Sequence, residues 1–190
     1  MQKIKTGALL IWVLGSLLLM LPLPSCAQDA SLTNIIVTNT RDDLLLYLTV
    51  KDAFPPDIEE TIESGVPATF SFLIHLYRVR GFWMDKEINE MVVTHTIKYD
   101  NLKKEYSVTR SWDGNRPQVV KSFNEAKKLM KEIDSLPIVS LSELEKGKQY
   151  QIRAKAKLSE LTLPFYLHYI LFFMSLWDFE TDWYTIDFIY

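Results

Sequence analysis

The chain has 190 residues and a single cysteine, Cys26, so no disulfide within it can staple the fold. Histidine is scarce too. His75, His95 and His168 come from three distant segments without metal-ligand spacing, and neither a metal nor another cofactor is expected. There is no Gly-x-Ser-x-Gly elbow, no phosphate loop and no paired-carboxylate motif, which leaves no residue to name as catalytic. Basic runs are absent and the formal net charge is −3, which argues against nucleic acid as a partner. Repeats, low-complexity tracts and interdomain linkers are missing as well. A core large enough to need no staple, in one domain, accounts for these absences.

What is present begins with a leader. Lys3 and Lys5 precede the apolar Gly7 to Leu21, and Pro22-Leu23-Pro24-Ser25 breaks the run. Residues 1–27 therefore read as a signal peptide, with 28–190 as the exported domain. Two endings compete: Ser25-Cys26-Ala27 suits ordinary cleavage before Gln28, while Leu23-Pro24-Ser25-Cys26 approximates a lipobox that would lipidate Cys26. The leader carries two lysines and no acid, so the 21 basic and 24 acidic side chains of the whole chain become 19 and 24 beyond it.

Strand signals dominate the rest. Ile35 to Asn39 and Leu44 to Lys51 flank the turn Thr40-Arg41-Asp42-Asp43 and predict a hairpin. Pro56 opens a short acidic helix with Ile58 and Ile62 on one face, and Gly65 ends it. In Ala68 to Arg80 the even positions Ala68, Phe70, Phe72, Ile74 and Leu76 are apolar. Lys86 to Tyr99 and Lys104 to Trp112 continue this alternation as an antiparallel meander. Ser122-Phe123-Asn124-Glu125 reads as a capping box for a helix with Phe123, Ala126, Met130 and Ile133 on one side, stopped by Pro137. Gln149 to Leu158 alternates most cleanly of all, and Trp183 to Tyr190 closes the chain as a strand. The expected fold is mainly β: an antiparallel β-sandwich or partly closed barrel of seven to eight strands with two short helices.

Several of these segments carry short motifs in a fixed order. They are Gly65-Val66-Pro67, Leu76-Tyr77-Arg78-Val79-Arg80 with Trp83 and Asp85, Tyr99-Asp100-Asn101-Leu102 before Tyr106, Gly147-Lys148-Gln149-Tyr150, Leu163-Pro164, and Ser175 to Trp177 before Trp183-Tyr184. In this the chain resembles an exported proteobacterial family catalogued as domain of unknown function 4390. The resemblance covers nearly all of the chain beyond the leader. It implies a signal peptide and a mostly β domain in the periplasm of a Gram-negative bacterium. Genes of the family sometimes lie beside a two-component sensor kinase, and it has no assigned activity or catalytic residues.

Three places invite a functional reading. Arg78 and Arg80 share the side of the core residues Phe72, Ile74 and Leu76, and two forked guanidinium groups there could hold a phosphate or carboxylate. The plainer account has them leave the core at the strand end, stack on Trp83 and pair with Asp85 or a neighbouring acid. His95 falls in register with Met91, Val93, Ile97 and Tyr99, as a hydrogen-bonded core histidine would. Leu161 to Trp177 is an almost unbroken apolar run that, as a helix from Phe165 to Trp177, would span about 20 Å, too short for a bilayer of about 30 Å. Three placements remain open for it: buried between sheets, on the membrane surface with Tyr166, Tyr169 and Trp177 at headgroup depth, or lining a groove with Phe172 for lipid or a partner protein. The resulting expectation is an envelope binding domain with peripheral membrane contact, a lipid or an envelope protein as its partner, and the run and Arg78, Arg80 and Trp83 as its site. The rival is a hydrolase-like envelope enzyme with a site assembled from scattered residues.

Overall fold

The computed structural model describes residues 30–161 and 180–190, with the side chains of Asp57 and of 159–161 left aside. Among them nine strands form two antiparallel sheets, and neither closes into a barrel. A sandwich is the arrangement that fits.

The first hairpin forms as its turn residues dictate. β1 (Ser31–Asn39) pairs with β2 (Asp43–Lys51), and the Thr40 hydroxyl accepts the N–H groups of Asp42 and Asp43 at 3.2 and 2.9 Å. α1 (Pro56–Glu63) follows with proline at its start, and Ile58 and Ile62 buried on one face. The chain then needs φ +95° at Gly65 to enter β3 (Ala68–Arg78). A Cβ added to Gly65 would stand 2.9 Å from the Asn101 amide nitrogen, which itself donates to the Ser64 carbonyl at 3.4 Å. Gly65→Ala is therefore expected to cost about 1–2 kcal/mol, read as a lower urea midpoint with an unchanged slope.

β3 is the axis of the larger sheet. β4 (Lys86–Asp100) lies on one side of it, followed outward by β5 (Glu105–Arg110) and β6 (Gln118–Val120). β8 (Gln149–Leu161) lies on the other side, followed by β9 (Tyr184–Ile189). Phe70, Ile74, Val108, Ile152 and Ala154 are all buried on the side facing the second sheet, as the alternation requires. β5 is shorter than expected, because Ser111–Asp113 turns into a 3-10 helix.

The stretch after Ser122 departs from expectation. α2 (Phe123–Lys131) ends earlier, Ser122 makes no side-chain capping bond, and Ile133 and Pro137 belong to a strand, β7 (Glu132–Ser140). That strand completes the smaller sheet in the order β1-β2-β7. Two register shifts against β2 break its alternation, and Ser135 adopts φ +60° near one of them. Pro137 is tolerated because β7 is an edge, where a missing N–H breaks no ladder. This added strand is why the count is nine rather than seven or eight.

The strand ends sort into two poles about 35 Å apart, the length of the eleven-residue β3 at ~3.3 Å per residue. One pole gathers the β3–β4 loop and the segment after β7, joined by the Arg78–Glu145 ion pair. The other gathers α1, the start of β1, and the end of β8, where Leu161 pairs with Ala68.

Candidate functional site

Pairing of β3 with β4 ends at Arg78 and Lys86, and one residue further the Val79 N–H still donates to the Gln149 carbonyl of β8 at 2.9 Å. The loop beyond presents Phe82, Trp83 and Met84 at 99%, 81% and 91% exposure. Three adjacent large apolar side chains in water are uncommon on a folded surface, and each would contribute roughly 1.5–3 kcal/mol if fully covered. Asp85 braces the loop. Its carboxylate accepts the Arg80 N–H at 3.2 Å and faces the Arg153 guanidinium at 3.7 Å. Exposed Arg80 and Lys86 flank the apolar trio alongside Asp85 and Glu87, so the collar carries both signs.

Arg78 and Arg80 have different surroundings. Arg78 is held by Glu145, while Arg80 and Trp83 belong to the bare tip. Phe82 and Met84 were not singled out in the sequence, since beside a strand an apolar pair reads as core. Tyr166, Tyr169, Phe172 and Trp177 lie outside the described residues, as does Cys26. The chain leaves β8 at Leu161 and is next described at Glu180, which bridges Lys157, so both attachments of that apolar run stand at the pole away from the tip.

A second feature occupies the outer face of the larger sheet. The odd positions of β3 that point away from the core include His75 and Tyr77, whose rings lie parallel within 1° with centroids 5.9 Å apart. The Tyr77 hydroxyl stands 3.3 Å from His75 Nδ1. The Trp183 ring meets the imidazole edge-on at 5.2 Å. Arg153 from β8 lies over Tyr77 at 4.8 Å, and its Nε donates to the Gln151 side-chain oxygen at 2.6 Å. Together with Thr185 these side chains line an open concavity of about 530 Å³. From β4, Glu87 Oε2 comes within 3.8 Å of His75 Nδ1, and Glu90 Oε1 within 3.9 Å of Nε2. Burial, followed by the charge of Glu87, pushes the Tyr77 phenol above its usual range. None of these eight residues is among the site residues that the sequence suggests. Counting outward equally from Arg78 and Lys86 would place Asn89 opposite His75; the register shift between Leu76 and Tyr77 brings Glu90 there instead.

His95 is a core residue. It is fully buried, and Trp112 Nε1–H donates to its Nε2 at 3.0 Å. Nδ1 must then carry the proton, which it donates to the Met130 carbonyl at 2.9 Å. Both nitrogens are used within the fold, so neither can reach a ligand.

The family described as "Domain of unknown function (DUF4390)" matches residues 27–187 of the chain. No curated protein and no solved structure matches it.

Proposed function

Because the chain belongs to the DUF4390 family, whose description names no chemistry, we propose a role from its surfaces: a binding domain of the cell envelope that docks on a lipid surface through Phe82, Trp83 and Met84. On this reading residues 1–27 export the chain, and the domain acts by binding, not by catalysis. The bare tip carries it. A narrow convex loop with two aromatic rings and a thioether suits the boundary of headgroups and acyl chains, where tryptophan rests with one edge apolar and the other wet. The collar of Arg80 and Lys86 beside Asp85 and Glu87 offers little net charge, so apolar insertion supplies the drive and salt changes it little.

Co-sedimentation of the exported form with phosphatidylethanolamine–phosphatidylglycerol vesicles tests this. The expected result is reversible binding with a blue shift of Trp83 emission, weakened by at least about tenfold in F82S/W83S/M84S while the thermal midpoint stays put. Wild-type protein left wholly in the supernatant would refute the lipid surface. A second reading, a protein groove as the occupant of the tip, is favoured by the poles. Ala30, Leu161 and Glu180 lie away from the tip, so a chain held to the membrane there would turn the tip outward. Vesicle-independent loss of function in the cell for the same tip variant would select it.

A further inference from the structure

On the outer face of the larger sheet, we propose that His75, Glu87 and Glu90 bind a divalent cation of the zinc class. One donor atom from each residue can be chosen so that all three lie within 4.8 Å of one another. Ligands about 2.1 Å from a shared zinc ion stand about 3.4 Å apart. The remaining closure falls to the glutamates, whose side chains are about half exposed.

The charge pattern points the same way. Glu59 faces Lys127, Asp113 faces Arg110, Glu145 faces Arg78, Glu180 faces Lys155 and Asp85 faces Arg153. Glu87 and Glu90 instead share an imidazole that is charged only when protonated. Two carboxylates from one strand beside a single imidazole place negative charge on this face, which a divalent cation neutralises. Arg153, opposite His75 on β8, is already engaged by Asp85, Gln151 and the Tyr77 ring.

The imidazole is also held as a ligand needs to be. Tyr77 lies parallel to it with its hydroxyl at Nδ1, and Trp183 packs on its edge, which fixes the ring plane before any ion arrives. Three protein ligands on an open sheet face leave coordination positions for water or an anionic oxygen. The concavity beside them offers Arg153, Gln151 and Thr185 to such a ligand. The cation would thus make a polar sheet face into a site for a carboxylate or phosphate.

Calorimetric titration of the metal-free protein with zinc chloride tests the assignment. Saturable binding of one ion per chain is expected, weakened by about tenfold or more in H75Q and in E90Q. Nickel should quench emission from Trp183, and W183F should remove that part of the quenching. Circular dichroism of each variant shows whether it is folded, and E87Q supplies a third substitution on an exposed position should H75Q fail to fold. No saturable heat up to about 1 mM zinc, or the same affinity in E87Q and E90Q as in wild type, would overturn the proposal.

Discussion

Acidification from pH 7 to pH 4 is expected to remove roughly 3 kcal/mol from the free energy of unfolding through His95 alone. Burial, the largest cause, and the Arg110 charge hold its pKa down to about 4 in the folded chain, against hydrogen bonds to backbone that act the other way. A group with a depressed folded pKa that is charged when protonated favours the fold while neutral. Its contribution is therefore fully present above the unfolded pKa near 6.5 and is lost as the pH falls from there towards 4. Carboxylates such as Asp100, held below their usual range by the Lys103 and Leu102 N–H groups, act in the same direction at lower pH. Comparison with His95→Gln isolates the histidine, because glutamine can still accept from Trp112 and donate to Met130 but does not titrate. Urea denaturation at half-unit steps should give a shallower pH slope for the variant between pH 6.5 and 4. Equal slopes would mean that His95 titrates normally in the fold.

Phe72→Ala is expected to cost about 3–5 kcal/mol, the largest effect of any single truncation considered for this chain. Phe72 is fully buried on the central strand, opposite Val93 on one neighbour and Ala156 on the other, and its ring stands 4.7 Å from that of His95. The neighbours that would have to collapse into the space are held in ladders on both sides, so the cavity persists. It would also open beside the histidine. A water admitted there relieves the burial that depresses the His95 pKa, and the pH slope of Phe72→Ala should fall below that of wild type. The two substitutions are accordingly expected to be non-additive. A loss below about 1.5 kcal/mol would show that the core closes over the gap.

The larger sheet was legible because its central strands keep a strict alternation. In β3 and β8 every second residue is apolar from Phe70 to Leu76 and from Tyr150 to Ala156, and all of these are buried, with Ser71 the one intervening residue buried beside them. β7 was not legible. Ile133, Leu136, Ile138 and Val139 are buried at uneven spacing because the strand bulges against β2, and Pro137 is a helix stop in one context and an edge-strand residue in another. Trp83 and Arg80 were marked from their place at a strand end, yet nothing local distinguishes an apolar residue that leaves the core from one that enters it. The His75, Glu87 and Glu90 cluster was hidden for a related reason, since its members are ordinary outward-facing residues until two strands are laid side by side.

The sequence alone therefore determined the class of fold and the sides of most strands, because alternation is a property of the pleated backbone and needs no knowledge of neighbours. Register, bulges, edges and poles were decided only in three dimensions. They depend on which distant strand supplies each hydrogen bond, and it is they that leave Phe82, Trp83 and Met84 in water and set two carboxylates beside one imidazole.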